Sequence, residues 1–92
     1  MTFQVVISDD LKKTITLLKK RDQQTCRVLT KKMLKIASSD ETTIQHFKNI
    51  RGKLKEYKRV HIGSYVLLFH VKNDTIIFQT FEHHDKIYEK NQ

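Results

Sequence analysis

Three strand-forming runs lie close together in the second half of this chain, and their spacing leaves few folds open. Residues 57–62 (YKRVHI), 65–71 (YVLLFHV) and 75–81 (TIIFQTF) are rich in β-branched and aromatic side chains. Gly63-Ser64 fills the first gap and Lys72-Asn73-Asp74 the second, both with turn-forming residues. A parallel pair needs a crossover of a dozen or more residues, so connections this short predict an antiparallel meander. The run Tyr65-Val66-Leu67-Leu68-Phe69 is apolar on both faces, which predicts a central strand. The third strand is expected to reach Phe81, with His83 as its furthest extent.

The first half supplies what covers this sheet. Residues 3–8 (FQVVIS) read as a short strand that joins it. Ser8-Asp9-Asp10 offers an N-cap followed by acidic residues where a helix dipole favours them. Leu11, Ile15 and Leu18 then recur at helical spacing, with Leu17 beside them, and Lys19-Lys20-Arg21 suits a helix C-terminus. Asp22 can cap a second helix, whose apolar stripe is Cys26, Leu29, Met33, Ile36 and Ala37. Both stripes are core, so Cys26 and Met33 carry no chemistry. Residues 38–41 break the pattern, and residues 42–47 can add one helical turn with Ile44 and Phe47 inward. The expected fold is α+β: an N-terminal strand and a two-helix hairpin packed on one face of an antiparallel sheet of about four strands. Residues 1–92 form a single domain, because no linker, repeat or low-complexity stretch divides them. The polar residues 89–92 read as a frayed end.

Charge narrows the partners. The chain carries a formal net charge of +8, which directs it towards nucleic acid, the ribosome or an acidic protein. No apolar run approaches the ~20 residues that cross a bilayer, so no membrane is expected. The first ten residues lack the features of a secretory leader. One cysteine cannot form an internal disulfide, which suits a reducing cytoplasm. Phosphate-binding glycine loops, CxxC pairs and serine elbows are absent from the sequence, and no cofactor is expected.

The chemistry gathers late in the chain. Six of the twelve residues from 48 to 59 are basic: Lys48, Arg51, Lys53, Lys55, Lys58 and Arg59. This segment leads into the first meander strand, where alternation sends Val60 and Ile62 to the helices and Tyr57, Arg59 and His61 to the opposite, open face. Lys58 has core parity but sits where it can snorkel outward. The strand end reads Glu82-His83-His84-Asp85. Adjacent strand residues diverge, so at most one of His83 and His84 can join His61, and parity leaves the choice open. RNA brings its own nucleophile, the 2′-hydroxyl. Its cleavage needs a general base, a general acid, cations for the phosphate and a ring to hold a base, all without metal. His46 and His70 are expected to be without chemistry. His83-His84-Asp85 invites a metal, but no other His, Cys or carboxylate has matching ligand spacing and neighbouring strand residues diverge, so none is expected.

The stretch FKNIRGKLKEYKRVHIGSYVLLFHV and the ending FEHHDKIY resemble the RelE/ParE superfamily of toxins from toxin–antitoxin pairs, and the order of elements is alike over nearly the whole chain. The histidine-rich branch typified by YafQ is most similar, and the ending is similar to archaeal RelE-type members. The resemblance implies an mRNA endoribonuclease that acts on the ribosome, is monomeric by itself, and is neutralised by a RelB-like antitoxin through which higher oligomers form. By position, His61 and His84 resemble the site histidines, and Tyr88 falls where the family places an aromatic residue. Lys48 lies where the branch has another histidine, and Lys58 and Arg59 resemble basic strand positions. Val66 stands where RelE-type members usually have arginine, and the late arginine is replaced around His84. The branch's acidic residue has no clear match, with Ser64 standing near it.

The expected site is therefore His61, His84 and Tyr88 for catalysis, with Lys48, Arg51, Lys58 and Arg59 on phosphate and His83 and Asp85 in secondary places. The rival expectation is a non-catalytic ParE-like toxin or a basic RNA- or protein-binding module.

Overall fold

The computed structural model describes residues 3–90. Strand β1 (Gln4–Ile7) leads into helices α1 (Asp9–Arg21) and α2 (Gln23–Ala37). A short helix α3 (Glu41–Gln45) and an irregular connector follow. Strands β2 (Lys58–Ile62), β3 (Tyr65–Lys72) and β4 (Thr75–His83) then form the meander, and helix α4 (His84–Lys90) closes the chain. The single sheet has the order β1-β4-β3-β2.

The caps form where side-chain oxygens precede the helices. Ser8 Oγ accepts from the Leu11 backbone N–H, Asp22 from that of Thr25, and Asp40 from that of Thr43. Asp22 also ends α1, donating its own N–H to the Leu18 carbonyl, so one residue joins two helices. Ser8 does a second job by donating to the Gln79 carbonyl of β4. Asp10 accepts from Thr80 Oγ1 at 2.9 Å. These bonds pin the start of α1 at the point where the β3–β4 register shifts by one residue, between Leu68 and Phe69.

The expected α+β architecture is present, with one pairing corrected. β2, β3 and β4 are antiparallel, but β1 runs parallel to β4, from Gln4 opposite Thr75 to Ile7 opposite Phe78, and the sheet is mixed. Everything from α1 to β3 separates these two neighbours, which is ample chain for a parallel crossover. The turns are tight. Ile62 pairs with Tyr65 across Gly63-Ser64, and Lys72 with Thr75 across Asn73-Asp74, so the second turn needs two residues rather than three. Asn73 (φ 59°) and Gly63 (φ 60°) take the left-handed conformation that two-residue hairpins demand.

The main core lies between the helices and one face of the sheet. Leu11, Leu29, Met33 and Ile36 meet Val60, Leu67, Phe69 and Phe78 there, with Ile44 and Phe47 turned inward. Phe69 is fully buried, edge-on to Phe47 with ring centroids 5.6 Å apart. The opposite face is less open than expected. Ile50, Val66, Leu68 and Ile87 form a second small core, with Leu54 and Tyr57 packed against it. The cover comes from two segments, the basic connector and α4. The expected frayed end is corrected accordingly. Glu89 and Lys90 belong to α4, which Ile87 anchors, while Asn91 and Gln92 lie outside the described residues.

Candidate active site

Strand β2 sets out the first part of the site. Arg59 pairs with Leu68 and His61 with Val66, so both share the face of the second core. As expected, Val60 and Ile62 turn to the helices. Tyr57 does lie on the expected face, but it is packed rather than open, its ring 5.1 Å from His70. His61 is exposed, and half-buried Arg59 lies two residues away, about 6.6 Å along the strand.

The connector folds back along the start of this strand. The Ile50 backbone N–H donates to the Tyr57 carbonyl, and that of Arg59 to the Lys48 carbonyl at 2.9 Å. This brings Lys48, Arg51 and Arg59 around one open depression of about 690 Å³, with His46 and Asn49 on its wall. Three of the four expected phosphate-binding residues are thus gathered. Lys58 is not among them. Its ammonium donates to the Phe47 carbonyl at 3.1 Å and to Asn49 Oδ1 at 3.2 Å, and so braces the connector from the helix side.

The far end of β2 meets α4. The His84 backbone N–H donates to the Ser64 carbonyl in the β2–β3 turn, which fixes where α4 starts. Ile87 then packs on Val66 and Leu68, so α4 lies on the same side of the sheet as His61 and Arg59. Tyr88 follows His84 by one helical turn, exposed, with its ring 6.2 Å from the imidazole. Among the described residues, no hydrogen bond or ring contact joins His61 to His84; the two flank the β2–β3 turn from strand and helix.

The expected divergence of His83 and His84 is corrected. The strand ends at His83 and a helix begins at His84, so strand alternation stops between them. Their rings lie 4.4 Å apart, inclined by 32°. His84 Nδ1 is 2.9 Å from Asp85 Oδ1. A proton on Nδ1 donated to that carboxylate leaves Nε2 with a lone pair for proton transfer. His83 Nδ1 accepts from the Asp85 backbone N–H at 3.2 Å, and its ring stands 5.7 Å from that of Tyr65.

Two residues passed over in the sequence now lie beside the site. Glu82 pairs with Val66, which pairs with His61, so one cross-strand row runs from histidine to carboxylate. The registers of the two hairpins would have found it. His46, expected to be without chemistry, borders the basic depression as the exposed C-cap of α3. Away from the site, an apolar depression of about 360 Å³ lies between β1 and the helices, lined by Val5, Ile15, Met33 and Leu34.

No protein-family model matches the chain. A curated protein of Methanocaldococcus jannaschii, named among the RelE toxins as RelE4, is 40% identical over 93 residues, covering 98% of this chain and 95% of its own length. Escherichia coli YafQ shares the fold with a TM-score of 0.64 at 13% identity, over 94% of this chain and 98% of YafQ. The RelBE2 toxin–antitoxin complex of Mycobacterium tuberculosis gives 0.63 at 15% identity, covering 90% of this chain and 99% of the other. The RelB–RelE complex of Methanococcus jannaschii gives 0.53 at 23% identity, covering 95% and 99%. The order of elements, the mixed sheet with its helical hairpin and the full-length identity to RelE4 agree: this chain belongs to the RelE superfamily, the toxins of toxin–antitoxin pairs.

Proposed function

We propose that this chain is a metal-independent endoribonuclease that cleaves mRNA on the ribosome, with His61 and His84 as its acid–base pair. One imidazole takes the proton of the 2′-hydroxyl. The 2′-oxygen attacks phosphorus, the bond to the 5′-oxygen breaks, and the second imidazole protonates that leaving oxygen. The products are a 2′,3′-cyclic phosphate and a 5′-hydroxyl end. Lys48, Arg51 and Arg59 offset the charge that develops on phosphate, and Tyr88 stacks on a base. Lys58 serves phosphate only through the connector that it braces.

The observation that carries this reading is a single continuous edge. It runs from the basic depression through Arg59 and His61 to the turn where α4 presents His84 and Tyr88. The exposed imidazole of His61 and the half-buried one of His84, on the two sides of that turn, support general acid–base work, and the depression supports a polyanionic ligand.

The proposed partner is a cognate RelB-like antitoxin acting in the cytoplasm, with the free toxin a monomer. An uncovered apolar depression beside β1 supports a protein partner. The test incubates purified protein with mRNA, with and without programmed ribosomes. Discrete new 5′-hydroxyl ends within codons are expected, and none when the scissile nucleotide is 2′-deoxy. Cleavage of the deoxy substrate would sink the mechanism. DNA damage without mRNA cuts would favour the ParE-like alternative.

A further inference from the structure

We propose that His83, His84 and Asp85 form a site for one divalent transition-metal ion of the zinc type, and that filling it silences the toxin by engaging His84. The binding half stands on geometry alone; the silencing half rests on the ribonuclease reading above.

Three consecutive residues place their donor atoms within 4.8 Å of one another. This is unusual for neighbours in sequence, and it follows from the strand-to-helix junction. His83 is the last residue of β4 and His84 the first of α4. The junction is held from two sides, by the hydrogen bond from the His84 N–H to the Ser64 carbonyl and by the burial of Ile87. The sequence-based case against a metal relied in part on divergence of the two imidazoles, and that ground is gone.

The donor set selects the ion. Two imidazole nitrogens and one carboxylate oxygen suit zinc and its neighbours, whereas calcium and magnesium prefer oxygen alone. Tetrahedral bonds of about 2.0–2.1 Å put donors about 3.3 Å apart. The Asp85 carboxylate approaches both rings near that spacing, through different oxygens: Oδ1 is 2.9 Å from His84 Nδ1 and Oδ2 is 3.6 Å from His83 Nδ1. His83 Nδ1 already accepts the Asp85 N–H with its one in-plane lone pair, so an ion bound through Nδ1 takes the place of that hydrogen bond.

Two effects oppose the ion: the net charge of +8 and the positive end of α4. Asp85 offsets one charge. All three side chains are partly or largely exposed, which leaves coordination positions to water. The balance points to a site of roughly micromolar affinity, far weaker than a structural zinc. Bound zinc would hold the imidazole of His84 and carry its positive charge where the leaving oxygen must be protonated or the 2′-hydroxyl deprotonated.

The test is calorimetric titration of Zn²⁺ into the untagged full chain. One ion per chain is expected. His83→Ala, His84→Ala and Asp85→Asn should each weaken binding about tenfold or more, while His46→Ala leaves it unchanged. Far-UV circular dichroism checks that the variants fold. In the parent, zinc should shift the imidazole NMR signals of His83 and His84 and leave that of His70. No binding at about 100 µM zinc, or binding that survives all three substitutions, overturns the site. In the cleavage assay, saturating zinc should abolish product and chelation should restore it. Undiminished cleavage by the zinc-loaded chain overturns the silencing. A chain that never cleaves RNA overturns the ribonuclease reading and the silencing with it, and calorimetry still decides the site.

Discussion

His61 and Glu82 stand at the two ends of one cross-strand row, and Val66 lies buried between them. RelE-type members usually have arginine at the position of Val66. In this chain that side chain is only 2% exposed, packed with Ile50, Leu68 and Ile87 beneath α4. Val66→Arg should therefore not restore an arginine-driven site. It should bury a charge and lift α4, costing on the order of 3 kcal/mol and lowering the melting temperature by about 10 °C or more. Thermal melts of parent and variant check this. A Val66→Arg protein as stable as the parent, with faster cleavage, would mean that this face opens far more readily than its packing implies.

Lys58 and Arg59 are neighbours with opposite duties. Arg59 borders the basic depression, whereas Lys58 is tied to Phe47 and Asn49. Arg59→Ala should weaken RNA binding and reduce the slope of log affinity against log salt by about 0.7, as for one lost phosphate contact. Lys48→Ala and Arg51→Ala should do the same. Lys58→Ala should leave that slope alone and lower stability by about 1 kcal/mol, the net worth of its hydrogen bonds. Filter binding at several salt concentrations and urea unfolding separate these outcomes. A salt slope reduced equally by all four substitutions would put Lys58 on the RNA.

The meander, the helical hairpin and the capping residues were legible in the sequence because each is a local pattern. Alternation placed Val60 inward and His61 outward, and Asp22 announced the joint between two helices. What was hidden depends on contacts distant in sequence. The parallel pairing of β1 with β4 joins residues about seventy positions apart, which no local pattern reports. Helix α4 is seven residues long, too short to be stable without packing, and it exists because Ile87 finds Val66 and Leu68. Once that helix starts at His84, strand alternation no longer governs the histidines, and His83, His84 and Asp85 converge. Glu82 escaped notice for a similar reason, since only the register of two hairpins reveals its row.

Tyr88 gives the cleanest separation of substrate contact from folding. Its ring is exposed on α4, and neighbouring Ile87 carries the packing. Tyr88→Ala should cost about 1–3 kcal/mol of RNA binding through lost stacking, roughly 5- to 150-fold in affinity, with the melting point nearly unchanged. Tyr88→Phe should retain most of the binding, because the π-face remains. If Phe is as damaging as Ala, the hydroxyl rather than the ring is what the substrate uses.

Acid stability should respond to two helix caps. The Asp22 carboxyl is held below the usual range, first by the Thr25 hydroxyl, which donates to it at 2.6 Å, and then by the Thr25 N–H. The Asp40 carboxyl is lowered chiefly by the Thr43 N–H, at 2.7 Å. Near the ordinary carboxylate pKa of about 3.9 the unfolded chain binds more protons at these positions than the folded chain does, so stability rises with pH there. The caps' contribution is complete above that value and is lost as pH falls through the lower, folded values. Both groups are fully exposed, so the effect is small and screened by salt. Asn caps a helix as well as Asp but does not titrate. The double variant Asp22→Asn, Asp40→Asn should unfold in urea much like the parent at neutral pH and lose less stability below about pH 4. Equal acid limbs in the two proteins would show that neither cap couples folding to protons.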